Sequence, residues 1–303
     1  MTERKRQIIL GRRKMLFLLS GMFLCMALLA IVSITNAKEN EKKEKVETKN
    51  VVVDEATPTE AILANSHNIT QADAISIINE FADANGIDRT EYSAELIKLL
   101  SRHTEAKDFV LNYPIYKDSK NAAISIDEEY RNGVPHFYQW DERWGYKTYG
   151  SGPIGLTGCG PTSLSMVAMY LLKKPSLTPA YMADYATKNG YCSVGNGTSW
   201  NFMTEGAKGL GLISEELMPN ESVMAEKLRE GKPIICVMGP GQFSDTGHYL
   251  VFTDYVGGDY SEGRLSGGYF VMNDPNCVEN SEKQWKYFEF EAEINNVWCF
   301  SER

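Results

Sequence analysis

The sequence predicts a mixed α+β fold, in which helices come first and an antiparallel sheet follows. Between Thr70 and Gly231 the predicted elements are helices, several of them with recognisable capping residues. After Gly231 the apolar residues alternate with period two or run without interruption, which is typical of strands. A glycine-rich connection, 257–267, separates two of these strands, so we expect them to pair as a hairpin. Helices followed by hairpin-connected strands indicate α+β architecture.

Length and charge narrow the possible functions. The 303 residues suffice for one or two domains, and a hydrophobic content of 43% is ample for a packed core. The chain has 31 basic and 40 acidic residues, of which six basic residues and one acidic residue lie in residues 1–37. The remainder therefore has 25 basic and 39 acidic residues, a net charge of −14. Nucleic-acid binding needs a basic face, so this acidic remainder argues against a nucleic-acid partner.

Met15–Ile34 contains no charged residue and is long enough to cross a bilayer as a helix. Basic residues precede it, so the rest of the chain is expected outside the cytoplasm. Two interpretations stay open, a single-pass membrane anchor or a secretory signal cleaved after Ala37. The apolar run exceeds the usual length of a signal core, which favours the anchor. Cys25 lies inside this run and is interpreted as an apolar filler.

Composition divides the chain into four parts. Residues 1–37 are the basic tail and the apolar segment, and residues 38–66 form a linker that begins rich in lysine and glutamate. Residues 67–131 read as a helical lead-in, and residues 132–303 as the main domain. The linker lacks apolar periodicity, so we expect it to be a solvated stalk.

Three helices are predicted in the lead-in. The first covers Thr70–Asn85, with Thr70 as its cap, an apolar stripe along one face and Gly86 as its stop. The other two are Tyr92–Leu100 and Glu105–Asn112.

The main domain is expected to contain helices followed by strands. Capping residues, apolar faces and glycine, lysine or proline stops predict four helices: Cys159–Leu172, Pro179–Asn189, Ser199–Lys208 and Glu221–Glu230. Apolar runs and period-two patterns predict five strands: Ile234–Met238, His248–Val256, Gly268–Asn273, Trp285–Phe290 and Asn295–Phe300.

The segment 158–163 reads Gly-Cys-Gly-Pro-Thr-Ser and places Cys159 at the start of a helix. The backbone N–H groups of a first helical turn and the helix dipole stabilise a thiolate. The flanking glycines leave space beside the sulfur. Cys159 is therefore the candidate nucleophile.

A cysteine nucleophile needs a base and a group that orients that base. The chain has four histidines, His67, His103, His136 and His248. Only His248 begins a strand of the sheet. A hairpin centred at residue 262 places residue 274 opposite residue 250, so His248 and Asp274 are expected to be diagonal neighbours within side-chain reach. Asp274 would then hold one ring nitrogen of His248 and turn the other toward Cys159.

The remaining cysteines carry a weaker signal. Cys192, Cys236, Cys277 and Cys299 could form up to two disulfide bonds, although the apolar strand around Cys236 favours a buried free thiol. The pairing stays open. The chain has no CxxC motif or Cys/His cluster, so neither a metal nor another cofactor is expected.

Five blocks resemble, in order, the C39-like cysteine peptidases, which are relatives of the bacteriocin-leader peptidase domain. The blocks are Gln139–Gly145, Gly158–Leu164, Gly197–Trp200, Gly247–Val251 and Asn273–Pro275. The resemblance implies a papain-like fold, with Cys159 as nucleophile, His248 as base and Asp274 as its orienter. It also implies that Gln139 and the Cys159 N–H form the oxyanion hole.

The sequence therefore predicts an exported, membrane-anchored thiol hydrolase that cleaves peptide amide bonds. Leader peptidase domains are fused to exporters and face the cytoplasm, so cleavage of a double-glycine leader is not carried over. A cell-wall amidase, endopeptidase or transpeptidase on the same fold is an alternative. A catalytically idle peptide-binding module is another. Substrate, oligomeric state and the role of the lead-in stay open.

Overall fold

The computed structural model of the chain describes residues 66–118, 126, 128–193, 195 and 197–303. The apolar segment Met15–Ile34, with Cys25, and residues 38–65 of the predicted linker lie outside this range. Among the described residues, no helix combines the length and the apolar character needed to cross a membrane.

In the described part of the lead-in, three α-helices pack around a shared apolar core. They are α1 (Gln71–Asn85), α2 (Ala94–Arg102) and α3 (Lys107–Tyr116). The predicted boundaries of α1 are confirmed, because Thr70 accepts a hydrogen bond from the Asp73 N–H and Gly86 ends the helix at a φ of 66°. The helices α2 and α3 each begin two residues later than predicted, and α3 continues to Tyr116 with Pro114 inside it.

The main domain begins with helices whose starts follow their capping residues. These helices are α4 (Ile154–Thr157), α5 (Cys159–Leu172), α6 (Pro179–Lys188), α7 (Glu205–Leu210) and α8 (Glu221–Arg229). The predicted helix Ser199–Lys208 is instead a 3₁₀ turn at Trp200–Phe202 followed by α7. The break falls at Thr204, whose φ of −107° and ψ of −84° are not helical.

A six-stranded antiparallel sheet forms the centre of the main domain. Its strands are β5 (Leu212–Leu217), β6 (Ile234–Met238), β7 (His248–Val256), β10 (Tyr269–Asn273), β11 (Gln284–Trp285) and β12 (Ile294–Glu302). They lie in the order β11-β10-β7-β6-β12-β5. Three short hairpins lie outside it: β1–β2 (Thr148–Tyr149, Gly152–Pro153), β3–β4 (Cys192–Ser193, Gly197–Thr198) and β8–β9 (Asp259–Ser261, Arg264–Ser266). The helix α9 (Val278–Glu282) follows β10.

The sheet contains one strand that the sequence analysis did not predict, and one predicted strand was wrong in most of its length. The sheet-edge strand β5 was not predicted, because its middle is polar and its apolar residues stand only at its ends. The predicted strand Trp285–Phe290 is limited to β11, and 3₁₀ turns follow at Tyr287–Glu289 and Glu291–Glu293. The Glu289 carboxylate accepts the backbone N–H of Lys286, which stabilises a turn instead of an extended chain.

Apolar side chains cover both faces of the sheet. On one face, Ile235 and Val251 pack in the cluster that also contains Leu164 of α5. On the other face, Leu250 and Phe252 pack in a second cluster. The alternation along β7 is that of a strand buried on both sides.

The lead-in is tightly packed against the main domain through Phe109. This side chain is 1% exposed, and its ring lies against Gly145 and Gly155. A Cβ at Gly155 would stand 2.3 Å from the Phe109 ring, so only glycine permits this approach. The described residues of both parts belong to one compact unit.

Candidate active site

Cys159 is the first residue of α5, and its side chain is partly exposed. The preceding turn, α4, ends at Gly158, and Gly160 follows with no room for a side chain. A Cβ at Gly160 would lie 2.4 Å from the Thr198 hydroxyl oxygen, so this glycine lets β4 approach beside the sulfur. The predicted position of Cys159 at a helix start is confirmed.

His248 is the first residue of β7 and is 6% exposed. Its Nε2 lies 2.7 Å from Oδ1 of Asp274, which is itself 1% exposed. A carboxylate only accepts, so Nε2 carries the hydrogen of this bond and Nδ1 is left for another partner. That partner is Cys159, whose sulfur hydrogen-bonds His248.

The contact between His248 and Asp274 follows from the hairpin register that the sequence predicts. At the end of the hairpin near the site, Asn273 pairs with Val251, as a hairpin centred at residue 262 requires. Farther from the site, a bulge between Val271 and Met272 shifts the pairing by one residue, so that Tyr269 faces Val256. The bulge thus leaves the predicted contact unchanged.

Asp274 is buried, yet donors surround its carboxylate. Oδ2 accepts from the Asn280 side chain at 2.7 Å. Oδ1 accepts from the backbone N–H groups of Asn276 at 2.8 Å and Cys277 at 3.2 Å. Burial raises the pKa of this carboxyl, but the charge of His248 and these hydrogen bonds outweigh burial and lower the pKa below its ordinary value. Asp274 is therefore ionised at neutral pH.

Neighbouring charges also shift the pKa values of Cys159 and His248. Burial raises the pKa of the Cys159 thiol, but His248 and the N–H groups of Tyr249 and Gly160 hold it below its ordinary value. Burial also lowers the pKa of His248, while Asp274 and Cys159 together raise it to about 10. The two shifts together favour the thiolate–imidazolium form of the pair over a neutral thiol and imidazole.

Gln139 is 4% exposed, and two hydrogen bonds hold it in place. Its backbone N–H donates to Pro275 O at 2.6 Å, and its Nε2 donates to Gly155 O at 2.9 Å. The amide nitrogen has a second hydrogen for another acceptor. Its Oε1 is buried with no hydrogen-bond partner among the described residues.

Gln139, Cys159 and His248 line one cleft of about 750 Å³. Asp274 does not line this cleft but lies behind His248. The structure therefore brings together all four residues that the sequence singles out as a candidate site. The other three histidines do not contact Cys159 by any hydrogen bond within the described chain.

Sequence reasoning missed the side chains that support Asp274. Asn280 comes six residues after Asp274 on α9, and His136 reaches the Asp274 carbonyl oxygen from Nε2 at 2.9 Å. Burial lowers the pKa of His136, so its ring is neutral and donates that Nε2 hydrogen. A polar residue shortly after Asn-Asp-Pro is only a weak indication that Asn280 supports Asp274. No local sequence pattern indicates that His136 does so.

The five described cysteines, Cys159, Cys192, Cys236, Cys277 and Cys299, are all free thiols. Cys236 is fully buried in β6, as its apolar strand predicts. Burial raises the pKa of Cys277 to about 12 and of Cys299 to about 11, so neither is a thiolate at neutral pH. Cys159 differs from both in the direction of its pKa shift.

Residues 131–300, more than half of the chain, match the Peptidase_C39 like family. The chain belongs to this family of cysteine peptidases, and the predicted α+β fold with a central antiparallel sheet is confirmed. One solved structure that resembles the chain is the peptidase domain of Streptococcus ComA, described as a bi-functional ABC transporter involved in a quorum sensing pathway. The resemblance has a TM-score of 0.36 and 17% identity, and it covers 48% of this chain and 93% of that chain. No curated protein matches the chain.

Asp274→Asn tests whether the carboxylate charge sets the state of the Cys159–His248 pair. The change removes the charge that raises the pKa of His248, so His248 loses its proton at a lower pH and Cys159 loses its cationic partner. The pKa of Cys159 then rises. The pH midpoint of iodoacetamide alkylation at Cys159, followed by mass spectrometry, is expected to move up toward or beyond the ordinary thiol value of ~8.5.

The control is Asp254→Asn, which removes an exposed carboxylate from β7, the strand that begins at His248. It should keep the wild-type midpoint. An unchanged midpoint in Asp274→Asn would show that this carboxylate does not tune the thiol.

Proposed function

We propose that the protein hydrolyses peptide amide bonds through Cys159, His248 and Asp274, with Gln139 in the oxyanion hole. The observation that carries this proposal is the hydrogen-bonded series beside a cleft that runs from the partly exposed Cys159 through the buried His248 to the buried Asp274. A nucleophile, a base and an orienting carboxylate in this order are what acyl transfer to a thiol needs.

In the first half of the reaction, the Cys159 thiolate attacks the amide carbonyl carbon and forms a carbon–sulfur bond. The carbonyl electron pair moves to the oxygen, which accepts from the Cys159 N–H and from the second hydrogen of Gln139 Nε2. An uncharged amide donor stabilises developing negative charge without attracting the substrate as an ion would. The tetrahedral intermediate collapses, His248 gives its proton to the leaving amine, and a thioester remains.

In the second half, His248 is neutral and takes a proton from water, whose oxygen attacks the thioester carbonyl. The carbon–sulfur bond breaks, the acid product leaves, and the thiolate–imidazolium pair is restored. Asp274 stays ionised throughout and keeps Nε2 of His248 protonated, so that Nδ1 carries the moving proton.

Cys159→Ala is expected to abolish hydrolysis without unfolding the protein, because the side chain is at a helix start where alanine fits. The assay is incubation with a peptide mixture of varied sequence, with new termini identified by mass spectrometry. Circular dichroism and Tm report the fold.

Cys277→Ala is the matched control, since it removes a neighbouring thiol but keeps the backbone N–H that donates to Asp274. It should retain cleavage. A fully active Cys159→Ala enzyme would end the proposal, and peptide binding without thiolate reactivity in the wild type would favour an idle binding module.

Gln139→Ala tests the oxyanion hole separately from thiol activation. Removal of one such donor is expected to lower kcat by roughly 10²–10³-fold. Gln139 does not contact the Cys159–His248 pair by a hydrogen bond described here, so the rate and pH midpoint of Cys159 alkylation should stay at their wild-type values. Wild-type kcat in Gln139→Ala would remove Gln139 from the mechanism.

We also propose that Met15–Ile34 anchors the chain in the cell membrane, with the peptidase part outside the cytoplasm. Its lack of charge and the basic residues that precede it support this orientation. The expected result is recovery in the membrane fraction, with residues 66–303 digested by protease added to intact cells. A mature N-terminus at residue 38, determined by mass spectrometry, would instead show a cleaved signal and a secreted protein.

A further inference from the structure

The cleft beside Cys159 has a wall that lies outside the family match. The peptidase residues that line it include members of the segment 151–157, Gln139 and Cys159. Further lining residues come from the lead-in, between Glu91 and Lys117. The family match begins at residue 131, so this wall belongs to a part of the chain that the match does not cover.

The helix α2 supplies the centre of this wall. Its cleft-lining residues include Glu95, Lys98, Leu99 and Arg102. Positions three, four and seven apart share one face of an α-helix, so a single face of α2 is turned to the cleft. Glu95 is exposed on that face, and the Ser93 hydroxyl lowers the pKa of its carboxyl, so it is ionised at neutral pH.

Ion pairs join α2 to the segment that leads into His248. Asp245 accepts from Lys98 and, at 3.1 Å, from Arg102 Nη2. The neighbouring residues Phe243 and Thr246 line the cleft. A single exposed ion pair contributes little, but two cations that converge on one carboxylate restrict where the segment can lie. These ion pairs thus connect α2 to the cleft-lining segment that leads into His248.

A second contact joins the end of α2 to the groups behind His248. The His103 ring is partly buried, which lowers its pKa, so it is neutral and its Nε2 accepts from the Asn276 side chain at 3.1 Å. The Asn276 backbone N–H in turn donates to Asp274. The C-terminal half of α2 is therefore held to two parts of the peptidase domain, the segment before His248 and the turn after Asp274.

We infer that α2 is a substrate-binding wall of the peptidase. A peptide in extended form lies along α2 in this cleft, with its scissile carbonyl at Cys159, and the Asp245 ion pairs hold the segment that completes this surface. The occupant is a peptide because the cleft is continuous with the residues proposed to cleave an amide. The inference rests on the proposed function and assigns the lead-in a part in substrate binding.

The test compares two alkylating reagents on the full chain. Iodoacetamide is small and reports the reactivity of Cys159, whereas an iodoacetylated mixture of short peptides must also enter the cleft. Glu95→Trp fills the space beside α2, so the rate of Cys159 modification by the peptide reagent should fall roughly tenfold or more. The iodoacetamide rate should not change. Ser76→Trp, at an exposed site of α1 that does not line the cleft, is the matched control.

Asp245→Asn is a second variant that does not depend on a bulky residue. Release of the segment that contains Asp245 should lower the rate at which the peptide reagent modifies Cys159. Added salt should lower the wild-type rate toward that of the variant, because salt screens exposed ion pairs. Asp83→Asn is its control, since Asp83 pairs with Arg89 on the lead-in surface away from the cleft lining.

A loss with the peptide reagent alone, in either variant, supports the inference. Wild-type rates with the peptide reagent in both variants would overturn the inference. An equal fall in the iodoacetamide rate would also overturn it, because the variants would then change the reactivity of the Cys159 thiol and not the binding of a peptide. If wild-type Cys159 resists iodoacetamide at neutral pH, the proposed function itself fails. The outcomes are therefore distinct.

Discussion

The hydrogen bond between His248 and Asp274 is the interaction on which the rest of the site depends. It is buried, and it fixes which ring nitrogen of His248 faces Cys159. A buried carboxylate is costly unless donors replace its water. Asn280 and the N–H groups after Asp274 supply these donors, and the positive charge of His248 supplies the remainder. Loss of the Asp274 charge would therefore alter the Cys159 thiol, which lies on the other side of His248.

The central sheet holds this interaction in place. His248 begins β7 and Asp274 directly follows β10, and the two strands are neighbours in the sheet. The helix α5 packs on β7 and begins at Cys159, so a helix start and a strand start meet beside the cleft. This arrangement gives the thiolate two sources of stabilisation, the imidazolium and backbone N–H groups, and both are preorganised by the fold.

The lead-in contacts the site by three separate routes. The Phe109 ring packs on Gly155, whose carbonyl holds the Gln139 side chain. His103 holds Asn276, which supports Asp274. Lys98 and Arg102 hold Asp245, three residues before His248. Because these routes reach different groups, the lead-in and the peptidase part form one structural unit around the cleft.

The sequence by itself determined the features that depend on neighbouring residues. The cap of α1, the position of Cys159 at a helix start and the β7–β10 register follow from local patterns, and the register sufficed to predict the contact of His248 with Asp274. Tertiary structure decided the rest, because those contacts join residues far apart in the chain. The polar strand β5 is a strand only because β12 pairs with it, His136 reaches Asp274 across 138 residues, and α2 became a wall of the cleft only through packing.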